Sequence, residues 1–372
     1  RSRSVARMTR RWRIAQVTVA PEGDAPWTVV GAQQALAAES QHGWGHTDWA
    51  WGTAELMSFL RRARYERCEL LIAVDLELPE GDPAAVLGAA IIELPLEDNT
   101  SFASVSVWAR PTVQDCRAPL LDASLELSRR EGRSTLLLET DHHTAQPGQE
   151  TIEPRSGVGR LPLDPLAELA VSRGLALEQV ERISTFRFPA DVETLRSLRE
   201  DAAAHAGPDY VVHSWQGDTP EHWLDGLAGL IGRMSTDAPL AGIDYEAEAW
   251  DAERVRERDA VRPEKNRGSL TVVVEHAPSG ELAAFTEVEW PLSEPEVAYQ
   301  FDTLVAGSHR GHRLGMLVKT SQLLELGRIK PELRRLHTWN ASENRHMLAI
   351  NEALGFEAVG SSGEWQITLE LD

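Results

Sequence analysis

Two stretches of the chain share one pattern of apolar and polar positions. Gly88-Ala89-Ala90-Ile91-Ile92-Glu93-Leu94-Pro95-Leu96 is matched by Ala284-Phe285-Thr286-Glu287-Val288-Glu289-Trp290-Pro291-Leu292. At a constant offset of 196 residues, Glu93, Pro95 and Leu96 fall on Glu289, Pro291 and Leu292. Residues 70–74 and 270–274, ahead of these runs, are dense in the branched side chains that suit a pleated sheet. A further strand and an amphipathic helix follow each run. Strands are predicted to open the two stretches at 12–19 and 210–215. Asp24-Ala25-Pro26-Trp27 and Asp218-Thr219-Pro220 then bring helix-start chemistry, a capping residue with proline close behind. Near each end a helix halts at glycine, 166–173 before Gly174 and 346–354 before Gly355, because glycine accepts a left-handed C-cap.

This order of elements predicts a mixed α/β (α+β) fold made of two copies of one unit. The expected division is an N-terminal domain over 1–187, a linker over 188–207 and a C-terminal domain over 208–372. The first copy carries an insertion rich in proline and glycine, 144–165, between its fifth strand and its last helix.

Composition narrows the chemistry. The chain has 37 Lys and Arg against 58 Asp and Glu, a net charge of −21. Such an excess opposes a general nucleic-acid surface, which needs cations against phosphates, and favours a cationic partner. The one basic region is the N-terminal arm of Arg1, Arg3, Arg7, Arg10, Arg11 and Arg13, with Met8 inside it. Two cysteines, Cys68 and Cys116, build no disulfide framework, and no stretch is apolar enough to span a membrane. A cytoplasmic protein, monomeric or homodimeric, is the expectation.

The segment richest in chemistry runs from Ala298 through Val305-Ala306-Gly307-Ser308-His309-Arg310-Gly311-His312-Arg313-Leu314-Gly315 into a helix over 316–327. A strand passes through a turn with glycines and arginines straight into a helix, which presents backbone N–H groups and a helix N-terminus to an anion. Residues 305–315 resemble the pyrophosphate loop of the GNAT superfamily of acyl-CoA N-acyltransferases: Arg310 and Gly315 match, while Arg313 stands where the first glycine is usual. Leu336-His337-Thr338-Trp339-Asn340, then Asn344 and the ending Leu354-Gly355-Phe356, resemble the family's next strand and last helix.

The resemblance implies two tandem GNAT-like domains, each a splayed mixed central sheet flanked by helices, with acetyl-CoA as acyl donor. Leu304 and Val305 would pair with pantetheine. Arg310, Gly311, His312, Arg313, Leu314 and Gly315 would hold the pyrophosphate, and Asn340 and Asn344 the arm. Asp302, three residues before Val305, is the leading candidate for the base that takes a proton from the amine. Glu287 and Glu289 alternate on the neighbouring strand, and Glu287 is the stronger second candidate. The family's tyrosine acid is replaced by Asn351, with His337 and His346 as other options.

In the first copy, Gln114-Asp115-Cys116-Arg117-Ala118-Pro119 occupies the loop position without a glycine, so that copy is expected to have lost acyl-CoA binding. The histidine pairs are expected to be ordinary, with no metal site. Trp44, Trp49 and Trp51 read either as core or as an aromatic wall for the acceptor, and the acidic stretch 237–259 as a helix pair. Two functions stand: an N-acetyltransferase acting on a primary amine of a small cationic molecule, or a catalytically silent acyl-CoA-binding or interaction module.

Overall fold

The computed structural model describes residues 11–61, 64–237, 239, 241–243 and 245–371. Arg1, Arg3, Arg7, Met8 and Arg10 lie outside them. The chain divides into two compact units, one holding the residues up to Leu136 with the terminal segment from Thr368, the other Leu137–Ile367.

In the first unit β1 (Trp12–Val17) is followed by helices α1 (Trp27–Trp44) and α2 (Thr53–Arg61). Strands β2 (Glu66–Asp75), β3 (Val86–Pro95) and β4 (Phe102–Ala109) then lead to α3 (Arg117–Arg130). The four strands form an antiparallel meander in chain order. β3 is apolar on both faces, as a strand covered on both sides must be, and its Ile91 packs with Val29, Leu56, Leu70 and Trp108. Trp51 joins this core edge-on to Phe59 and Trp108. Pro26, rather than Asp24, stands at the N-cap of α1.

The second unit begins with β5 (Thr135–His143). The short strands β6 (Thr151–Ile152) and β7 (Leu161–Pro162) pair within the insertion, before α4 (Pro165–Ser172) and β8 (Ala176–Arg187). Then come α5 (Val192–Ala206), β9 (Tyr210–Gln216), α6 (Leu224–Gly232), α7 (Met234–Asp237), α8 (Ala252–Glu264), β10 (Arg267–His276), β11 (Glu281–Pro291) and β12 (Val297–Val305). The unit closes with α9 (Leu314–Ile329), β13 (Arg335–Ala341), α10 (Arg345–Leu354) and β14 (Glu357–Thr368). Its sheet has the order β5-β14-β8-β13-β12-β11-β10-β9. Alternation along the strands splits the core in two: Val272 and Ala284 face α9 with Leu317 and Leu326, while Val273 and Phe285 face α6 and α8 with Leu227 and Val255.

Three expectations change. The segment 188–207 is no linker: α5 buries Leu195, Ala202 and Ala206 against the α9 side of the sheet. The division at Leu136 falls far ahead of 187, because β8 pairs with β13 on one side and β14 on the other and so belongs to the second unit. Among the described residues the acidic stretch holds one helix of useful length, α8, whose N-cap Asp251 accepts from the Arg254 N–H at 2.8 Å.

Candidate functional site

β12 and β13 run parallel and pair only from Val297↔Arg335 to Tyr299↔His337. Beyond that rung they separate, leaving the edge of β12 from Gln300 to Val305 open toward the gap, although its other edge still pairs with β11. On that side Thr286 faces Thr303 and Val288 faces Gln300, so one extra residue of β12 lies opposite Glu287. Phe301 and Asp302 therefore form a β-bulge, a device that re-aims side chains.

Asp302 is half-buried beside this opening. Desolvation raises its pKa above the ordinary carboxylate value, Arg258 opposes the rise and Glu248 adds to it. Glu287 is placed differently from the open second base expected of it. Buried, it accepts from Arg262 and lies 3.0 Å from Arg258 Nη1, while Arg262 also reaches Asp259 and, at 2.7 Å, Glu289. These pairs anchor α8 on the sheet, and both glutamates serve that contact.

The turn from β12 to α9 gathers glycines, arginines and a helix N-terminus, an arrangement that could hold an anion. Gly311 has φ +89°, a conformation that favours glycine. Arg313, at the glycine position, takes the left-handed φ of 57° itself, at a cost of about 1 kcal/mol for a residue with a Cβ. No side chain caps α9, so its first N–H groups are free for a ligand. Gly315 allows a tight fit, since a Cβ there would come 3.1 Å from Ile350 Cδ1 and 3.7 Å from Val305 Cγ2. Arg310 donates to Asp237 Oδ2 at 2.9 Å, and His205 of α5 donates to the Gly311 carbonyl at 3.0 Å.

A cavity of about 1010 Å³ joins these parts; Leu304, Val305, Arg310, Gly311, Arg313, Leu314, Gly315 and Asn344 all line it. His312 turns elsewhere and packs on the Tyr210 ring, 5.0 Å between centroids. Asn344 caps α10, its Oδ1 accepting from the Met347 N–H at 3.2 Å. Asn340 and Asn351 bond each other at 2.6 Å. Buried His337 bonds Thr185 at 2.8 Å, whereas His346 lines the cavity.

Solved structures resemble the chain over nearly its whole length. A tandem GNAT protein from the clavulanic acid biosynthesis pathway matches 97% of this chain over 100% of its own length, with TM-score 0.70 and 21% identity. The chain has the GNAT fold. A GCN5-related N-acetyltransferase from Sphaerobacter thermophilus matches 96% of each chain at TM-score 0.57 and 10% identity. No family model and no curated protein matches the sequence.

The GNAT loop position in the first unit carries a different arrangement. Arg117 is buried there and donates to Glu39 at 2.7 Å, to Gln114 at 3.1 Å and to the Val107 carbonyl at 2.8 Å. The other Glu39 oxygen accepts from the Ala109 N–H at 2.7 Å. A carboxylate of the protein itself thus engages the arginine and the end of β4.

Sequence reading missed the α5 residues Leu198, Asp201 and His205, which line the cavity. The helical spacing of Leu195, Leu198 and Ala202 was the available signal. Among the described residues no group of His, Cys, Asp or Glu is arranged to hold a metal, and no helix is long and apolar enough to cross a membrane.

Proposed function

We propose that the chain is an acyl-CoA-dependent N-acetyltransferase that moves the acetyl group of acetyl-CoA to a primary amine of a small cationic molecule, with its chemistry in the second unit. The carrying observation is one cavity that brings the open edge of β12 together with the uncapped N-terminus of α9 and two arginines. The bulge places Asp302 beside that edge.

The residues fit the donor. Backbone groups of Leu304 and Val305 would hold pantetheine as an added strand does. The N–H groups at the start of α9, with Arg310 and Arg313, would hold the pyrophosphate. Acetyl-CoA, when bound, supplies a thioester carbonyl that an uncharged amine attacks, with release of the thiol. Free amines are mostly protonated near neutral pH, so a base must first take a proton. Asp302 fills that role directly or through one water, and its raised pKa makes it a stronger acceptor than an ordinary aspartate. A thiol ionises near pH 8.5, so it can leave without a protein acid, consistent with Asn351 in place of tyrosine. In the first unit, the Glu39–Arg117 pair supports a copy that has lost acyl-CoA binding.

The test is CoA release from acetyl-CoA with a panel of amines, alongside acetyl-CoA binding. Turnover that Asp302→Ala abolishes while binding persists supports the enzyme. Binding with no turnover on any amine would instead favour the silent module.

A further inference from the structure

Beyond the gap, five carboxylates of the second unit gather, with no lysine or arginine among them in the described residues. Glu139 and Asp141 alternate on β5 and share a face. Ser362 of β14 bonds Glu139 at 3.4 Å and lies opposite Glu181 of β8, while Glu364, two residues on, shares the face of Ser362. Glu343, just past β13, lines the large cavity and lies close enough to Glu181 to repel it. Trp339 of β13 lies beside Asp141 and stacks on Tyr299 with ring centroids 6.4 Å apart, so an aromatic pair runs from the mouth of the gap to the acidic group.

The nearest arginines on or against β8 are engaged elsewhere: Arg182 with Glu352 and Arg155 with Glu178, each at 2.7 Å. Asp141 Oδ1 is buried without a hydrogen-bond partner, although Ser362 and Trp339 lie beside the carboxyl, and both carboxylate oxygens of Glu343 are buried without a partner. Enclosed carboxylates without partners are costly unless a cation arrives. Desolvation, reinforced by the neighbouring carboxylates, lifts Glu181 to about 7 and Asp141 to about 8, and drives Glu364 well above its usual range. Glu139 still reaches solvent, which gives a ligand a way in.

We propose that the acceptor is an oligoamine: one amino group is delivered to Asp302 while further protonated nitrogens are held by Asp141, Glu181, Glu364 and Glu343. The proposal rests on the acetyl-transfer reading for its first half, and for its second on the gathering of carboxylates and on the buried oxygens of Asp141 and Glu343 that lack a hydrogen bond. Specificity then comes from the acidic group, which a monoamine cannot satisfy.

The experiment compares spermine with butylamine as acceptors, using the wild type and the double variant Glu181→Gln/Glu364→Gln. That variant removes repulsion and is expected to stay folded. Spermine should exceed butylamine in kcat/KM by about 100-fold or more, and the double variant should lower the spermine value at least about tenfold, through KM, while butylamine is unaffected. Equal kcat/KM for the two amines, or a double variant that matches the wild type on spermine, would overturn the proposal. If neither amine is acetylated, the transferase reading fails on these amines and calorimetry with spermine decides the acidic site by itself. Binding that weakens at least about tenfold in the double variant upholds a polycation site; absent or unchanged binding removes it.

Discussion

Asn351 of α10 donates its amide to Asn340 Oδ1 of β13 across 2.6 Å, while its own oxygen is buried without a partner. The pair stands where the GNAT resemblance sets a tyrosine, and neither member titrates. Asn351→Ala leaves Asn340 short of its donor and should cost about 1–3 kcal/mol in a denaturant titration. The rate of acetyl transfer should fall by less than about tenfold, because a proton donor is not being removed. A thousandfold loss would show that Asn351 acts on the reacting atoms.

Asp302 makes two linked predictions. Asp302→Asn should lower kcat by about 100-fold or more, and the wild-type rate should rise with pH through a pKa above that of an ordinary aspartate. Because the folded-state pKa is raised, ionised Asp302 opposes folding. Its cost is absent below the ordinary aspartate pKa and grows as pH rises through the folded value. The asparagine variant should therefore be the more stable protein at pH 8 and indistinguishable at pH 3, as thermal unfolding at both pH values would show.

The Arg310–Asp237 pair is largely exposed, and such pairs contribute about 0–1 kcal/mol to stability. On the proposed function its importance is for the ligand, since the pyrophosphate of acetyl-CoA would compete with Asp237 for the guanidinium. Asp237→Asn should leave stability nearly unchanged and tighten acetyl-CoA binding severalfold, while Arg310→Ala should weaken it about tenfold by titration calorimetry. Looser binding in Asp237→Asn would mean that the aspartate positions the arginine rather than competing for it.

Lys319 is wholly buried in α9; its Nζ lies 3.5 Å from Gln300 Oε1 and 5.2 Å from the centre of the Phe356 ring. Burial drops its pKa to about 7. For a base lowered on folding, the penalty is complete below the folded pKa and disappears as pH rises toward the unfolded value. Lys319→Met should therefore stabilise the protein by roughly 3 kcal/mol at pH 6 and by clearly less at pH 9. A gain independent of pH would point to packing instead.

The turn from β12 to α9 could be read from sequence because its parts are contiguous: Arg310, Gly311 and Gly315 sit close together in the chain, and local backbone need makes glycine informative. The setting of Glu287 was not legible in the sequence, because alternation reveals which face a side chain takes, but not that Arg258 and Arg262 of α8 lie above that face. The acidic group escaped notice for a related reason. Its members lie on β5, β8 and β14 and after β13, and only strand order makes them neighbours. Arg313 shows the opposite limit: the chain accepts a left-handed arginine where pattern alone asks for glycine.

β8 carries a last consequence. It comes from the first half of the sequence, yet stands between β13 and β14, so the repeat in sequence is not a repeat of separable modules. A fragment starting at residue 208 would lose an interior stave of its sheet and not merely a frayed edge, leaving β13 with only its short pairing to β12 and β14 with neither of its neighbours. The second unit therefore cannot be excised at the sequence repeat, because the boundary of its sheet lies ahead of β8 rather than behind it.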